Sequence, residues 1–276
     1  MRKHSFNALL CLMAGIAVAT VSCKKDNVSS TKSADAISTE TLAKIEALGF
    51  SAADVHKFGN DYIVEGDIRL TEEDLNAKYT GPVLRVASSE QYRTTNLVTG
   101  TPRTITVKVA SSLGSAYVAG TDTAIARYNR LGLAITFSRI TSGTATITIS
   151  GFNQGPSGGY ITLGSSGFPT SSGNPYSSIL MNTNSQAYGS NPNVLYVGSV
   201  IQHEIGHCIG FRHTDYFDRS YSCGGTATNE GASSVGAIWI PGTPTGADAN
   251  SWMLSCSNGG NRTFNANDII ALNYLY

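Results

Sequence analysis

The segment His203–Asp215, HEIGHCIGFRHTD, decides how the rest of the chain is read. It places histidines at spacings of four and six, and they are three of the five histidines in 276 residues. On a helix, His203 and His207 project from one face a turn apart, so two imidazoles can share a metal ion. Glu204 sits beside the first and reaches a water there without occupying a ligand position. His213 would point away from this pair on a continuous helix. It joins them only if the helix stops in between, and Gly210 is where a left-handed residue costs least. Three neutral imidazoles leave a fourth position open, as in a catalytic zinc site. The reading is therefore one Zn2+ held by His203, His207 and His213, with Glu204 as general base for peptide hydrolysis.

The full pattern, H-E-x-x-H-x-x-G-x-x-H, is the metzincin signature. The chain resembles the metzincin-clan zinc metallopeptidases, and its HEIGH pentad is similar to the HEIGH-type dual-action metallopeptidase family. The resemblance implies an α+β fold. Its parts are a twisted mixed sheet of about five strands, a backing helix, an active-site helix, and an irregular C-terminal subdomain ending in a helix. It also implies a methionine turn beneath the metal, matched here by NSWMLSC with Met253. Astacins carry a tyrosine two residues further on; Ser255 stands there, so no tyrosine ligand carries over. Asp215, just past the third histidine, is expected to orient the ligands from behind. By strand order, GYITLG (Gly159–Gly164) matches the antiparallel edge along which a substrate lies as an added strand. That arrangement favours an endopeptidase acting on proteins or peptides.

Composition narrows the setting. Formal net charge is zero, which excludes the basic footprint of a nucleic-acid binder. Arg2, Lys3 and His4 precede the apolar run Ala8–Val21, too short for an ordinary transmembrane span and typical of a signal-peptide core. The sequence TVSCKKDN follows, which resembles a bacterial lipobox with Cys23 as the lipidated first residue, although Thr20 replaces the usual leucine. The expectation is an exported monomer of the bacterial cell envelope, touching membrane only through that anchor, or otherwise a secreted protein. Of the remaining cysteines, Cys208 falls on the histidine helix, while Cys223 and Cys256 lie in loop-like sequence and are the expected disulfide.

Charge divides the mature chain. Lys24–Arg103 carries 10 basic and 12 acidic residues, whereas the longer Thr104–Tyr276 carries 7 and 7. The expected organisation is a signal peptide over 1–22, a lipidated tether and pro-segment-like region over 23–100, and a catalytic domain over 101–276. Within the middle region, residues 76–103 read as a linker offering Arg85, Arg93 and Arg103 to a trypsin-like activator. The stretch IVEGDIRL reads as an extended segment with a turn at Gly66. It also resembles the F-x-G-D stretch of astacin-type pro-segments, with Val64 in place of the phenylalanine. That resemblance implies that Asp67 reaches the zinc and holds a zymogen latent. Alternatives for the same site are an amidase acting on cell-wall peptides and a zinc-binding surface lipoprotein without proteolysis.

Overall fold

The Ser38 hydroxyl accepts a hydrogen bond from the Thr41 amide and starts helix α1 (Thr39–Ala47). The computed structural model describes residues 36–76, 91–232 and 234–276; the expected signal peptide, Cys23 and most of the tether lie outside these. Packing separates Met1–Ala36 from Ile37–Tyr276, and the account below concerns the second unit. After α1 come three antiparallel strands, β1 (His56–Phe58), β2 (Asp61–Val64) and β3 (Ile68–Leu70), then helix α2 (Glu72–Asn76). Val64 pairs with Ile68, so Glu65, Gly66 and Asp67 form the tip of the β2–β3 hairpin. Both Glu65 and Gly66 have left-handed backbones, at φ 55° and 90°. Ile45, Leu48, Phe50, Val64, Ile68 and Leu70 give this region a small core of its own.

The next strands and helices are β4 (Tyr92–Arg93), β5 (Arg103–Val109), α3 (Ser115–Asn129), β6 (Ile135–Arg139), β7 (Ile147–Phe152), β8 (Gly164–Ser165) and β9 (Ser178–Asn182). The chain closes with α4 (Ser185–Tyr188), α5 (Val194–Ile209), α6 (Ser220–Cys223), β10 (Ile238–Trp239) and α7 (Ala266–Leu275). The main sheet has the order β6-β5-β7-β9-β8, parallel throughout except that β8 runs antiparallel at the edge. Alternate residues of its strands, among them Ile105, Val107, Ile135, Phe137, Ile147 and Ile149, are buried in the main core shared with α3 and α5. This is an α+β architecture with a five-stranded mixed sheet and a C-terminal helix. Asn265 caps that last helix, and its side chain and that of Asp268 each accept the other's backbone N–H.

Three boundaries differ from the sequence reading. The stretch GTDTAIARYNRLG reads as a helix capped at Thr121 or Asp122 and stopped at Gly132, whereas helix α3 starts at Ser115, just after Gly114. Thr121 is instead interior, its hydroxyl donating to the Tyr117 carbonyl. Gly120 is the close-approach point of two helices: an added Cβ would lie 3.0 Å from the Gly198 nitrogen of α5. Second, the edge strand is Gly164–Ser165, and Gly159–Leu163 is irregular apart from a Ser157–Tyr160 bridge. Third, residues from Gln91 onward belong to the body of the fold. Gln91 is buried and donates to Ser251 and Asp268, and β4 pairs with β10. Arg93 lies in that strand and Arg103 opens β5, while Arg85 lies outside the described residues.

Candidate metal centre

Helix α5 begins with Asn193, whose side chain accepts from the Leu195 and Tyr196 amides. It ends at Gly210, whose φ of 109° is open to glycine at little cost. The chain then doubles back. The Thr214 amide donates to the Met253 carbonyl, and His213 returns beneath the helix. Met253 is fully buried, and its sulfur would lie 2.6 Å from a Cβ added to Gly206, so the turn presses on the helix between the first two histidines.

The three histidines and Asp67 form one cluster, their candidate ligand atoms all within 4.8 Å of one another. His207 Nε2 lies 3.2 Å from His213 Nε2. Asp67 Oδ2 lies 3.2 Å from His203 Nε2, 3.1 Å from His213 Nε2 and 3.8 Å from His207 Nε2. The opposite ring nitrogens are all engaged: His203 Nδ1 with the Trp252 carbonyl, His207 Nδ1 with the Phe211 carbonyl, and His213 Nδ1 with Glu230 Oε1. Those acceptors require Nδ1–H, which in a neutral ring leaves each Nε2 a bare lone pair. Three lone pairs and a carboxylate oxygen converging in a buried space repel one another unless a cation sits between them. Tetrahedral zinc with bonds of about 2.0–2.1 Å places its ligand atoms roughly 3.3 Å apart, close to most of these separations. The donor set fits one zinc ion.

Burial lowers the His207 pKa to about 4, more than Asp67 raises it, which keeps the ring neutral. For His213 burial alone would lower the value, but Asp67 and Glu230 push it well above the ordinary one. Burial alone would raise Asp67, but His213 and the rings of His203 and His207 hold its carboxyl well below the usual range. Glu204 goes the other way. Burial pushes its carboxyl well above the usual range, Asp67 adds to the rise, and a hydrogen bond from Ser166 opposes it. The Ser166 hydroxyl lies 2.7 Å from Glu204 Oε2. The raised Glu204 and lowered Asp67 give two carboxyls of opposite protonation tendency in one site.

From its place just past the third histidine Asp215 was expected to orient the ligands, but the carboxylate that meets a ligand ring is that of Glu230, 2.8 Å from His213 Nδ1. The chain turns over Thr214–Phe217 and carries Asp215 away, where it accepts from the Ser255 amide and hydroxyl and from Ser222. It thus ties the exit of the methionine turn to α6, which a Cys223–Cys256 disulfide also joins; Cys208 is buried and free. Glu230, Ser166 and Arg212 were not singled out from the sequence. The signal for Glu230 was only a lone carboxylate in an irregular region, 17 residues after its histidine.

The model of the dual-action HEIGH metallo-peptidase family matches residues 62–276. The chain belongs to that family. It is a zinc metallopeptidase, and the match begins within the β2–β3 hairpin that carries Asp67. Among solved structures, one of myroilysin is 14% identical, covering 67% of this chain and 96% of that one, with a TM-score of 0.41. The zinc-protease hatching enzyme high choriolytic enzyme 1 from the medaka fish Oryzias latipes is 15% identical, covering 70% and 98%, with a TM-score of 0.38. No curated protein matches the chain.

Because the Glu230 carboxylate accepts from His213 Nδ1 and its charge makes the ring a stronger donor to the metal, Glu230→Gln in the peptidase is expected to weaken zinc binding about 10- to 100-fold. Competition with a chromogenic chelator measures this. Unchanged affinity would mean that the His213–Glu230 contact does not matter to the metal.

Proposed function

We propose that the protein is an exported zinc endopeptidase in which Glu204 is the general base and Asp67 holds the chain latent. The observation that carries the catalytic part is the buried Glu204 carboxyl, held by the Ser166 hydroxyl at 2.7 Å on the wall of the cavity that also exposes His203. His203, His207 and His213 would hold the zinc through Nε2. When bound, the metal supplies Lewis acidity, polarising a carbonyl and making a water acidic near neutral pH. Glu204 takes the proton of the attacking water and delivers it to the leaving amine; the Ser166 hydroxyl holds the carboxylate in place for both steps. The edge strand β8 offers backbone groups to an extended substrate.

Latency is supported by what the N-terminal hairpin occupies. Asp67 supplies a fourth ligand atom where a water would otherwise sit. Around it the hairpin lies along the sheet edge: the Ser166 amide donates to the Asp67 carbonyl and the Arg69 amide to the Ser166 carbonyl. Glu65, at the same tip, is buried against Arg212 at 3.1 Å. Activation then requires this hairpin to leave, and a cut in residues 77–90, where Arg85 lies, would free it.

Export and lipid on Cys23 rest on the sequence pattern, and the mass of the mature N-terminal peptide tests them. The central test of the activity is the zinc-loaded full chain, nicked with trypsin, acting on a denatured protein. Internal cleavage that stops with chelator and returns with zinc is expected. Hydrolysis of cell-wall peptides with no cleavage of protein would replace the endopeptidase by an amidase, and no hydrolysis of either would end the enzymatic reading.

A further inference from the structure

The metal centre opens into one cavity of about 120 Å³. His203 and Glu204 form part of its wall, and Val200, Leu163 and Leu254 give it an apolar lining. Charged groups also line it, and nearly all have partners. Asp54 is paired with His56 at 2.9 Å, and Arg219 faces Glu230 at 3.2 Å. Asp67 meets the histidines, and Ser166 donates to Glu204. Arg262 differs: among the described residues no carboxylate lies within ion-pair distance of it, and its buried Nε has no hydrogen-bond partner.

Arg262 is also held in place. Its amide donates to Ser199 Oγ at 2.9 Å, on the helix that carries the histidines. One guanidinium nitrogen, Nη1, donates to the Cys256 carbonyl at 2.9 Å, and Cys256 is anchored by its disulfide. A half-buried guanidinium keeps its charge but has lost part of its water, and burial lowers its pKa accordingly. Such a group gains most from an incoming carboxylate, which pairs with its charge and with an N–H that Cys256 leaves free.

We infer that this cavity receives the substrate side chain next to the bond that is cut, and that Arg262 selects an acidic residue there. The inference rests on the endopeptidase reading and adds the substrate class. Methylenes of a glutamate would lie against the apolar wall while its carboxylate reaches Arg262. While the hairpin is in place, Ile63, Gly66 and Asp67 close the other side of the cavity, so the selection operates once the hairpin has left.

The experiment uses six peptides and the zinc-loaded full chain carrying Asp67→Ala, nicked with trypsin and then freed of it, so that the hairpin can leave. The peptides are identical except for Glu, Gln or Lys at either residue flanking the bond. At one of the two positions, Glu is expected to exceed Gln by about tenfold or more in kcat/KM, with Lys poorest. Arg262→Glu should reverse the order of Glu and Lys while the Gln peptide is still cleaved, and Arg262→Lys should keep the original order. Equal rates for Glu and Gln at both positions would overturn the inference. So would an Arg262→Glu chain that slows all six peptides by one factor, because that is the signature of a brace for Cys256 and no more. If no peptide is cleaved, the endopeptidase reading fails separately. Fluorescence-anisotropy binding of the same peptides to the same chain then decides: tighter binding of the Glu peptide supports the acidic pocket, and equal binding rejects it.

Discussion

The Glu204→Gln chain is expected to bind about one zinc and to hydrolyse peptides some two to four orders of magnitude more slowly than the parent. Gln keeps the shape of Glu and can still accept from Ser166, whose hydroxyl also lies 3.1 Å from the Glu204 backbone carbonyl. It cannot take a proton. The metal is held by other atoms: the three Nε2 nitrogens meet without any part of Glu204 between them. His203→Ala, His207→Ala and His213→Ala should behave differently and lose zinc together with activity. Metal content by atomic emission, measured beside kcat on the same preparations, separates the two outcomes. Near-parental turnover in Glu204→Gln would reject Glu204 as the base, and loss of zinc from it would make it a ligand.

Asp67→Ala in the uncut chain is expected to raise activity on the order of 10- to 100-fold, the response to a shift of about 1.4 to 2.8 kcal/mol between covered and open states. The carboxylate is the part of the hairpin that touches the histidines, so removing it frees the fourth ligand position first. Glu65 and the pairing at Ser166 remain, so a residual block should persist. Adding Glu65→Ala should weaken it further, because it removes the buried ion pair between the hairpin tip and Arg212. Progress curves of the uncut chain against a quenched peptide report this without any cleavage step. An uncut parent already as active as both variants would make the hairpin a spacer. A variant that gains activity but loses zinc affinity would show that Asp67 helps hold the metal as well as cover it.

The sequence alone determined the parts of this protein that depend on local spacing. Ligands four apart lie on one face of any helix, and a glycine three residues after the second ends that helix wherever it folds. The active-site helix, its stop at Gly210 and the single zinc were legible for that reason, and the α+β class followed from the family resemblance that the same pattern carries. The runs RTITVKVA and ATITISG read as strands in the same way, and strands Arg103–Val109 and Ile147–Phe152 fall on them, since period-two burial is written in the residues themselves. Thr121 misled because a hydroxyl beside a helical run reads as a cap locally. Here it donates within its own helix, and Gly120 beside it lets two helices touch. Tertiary structure decided everything carried by partners far apart in the chain. Glu230 reaches His213 across 17 residues and Ser166 reaches Glu204 across 38, while Asp67, which reaches His203 across 136, was expected there only through the resemblance of its Gly-Asp-Ile stretch to a pro-segment. A lone carboxylate, serine or arginine in irregular sequence carries no period and no local geometry. Which one meets the metal centre is set by how the loops close over the sheet edge and α5. Asp215 lost the orienting position to Glu230 for that reason: the turn at Thr214–Phe217 points the nearer carboxylate at Ser255, and the fold brings the more distant one to the histidine.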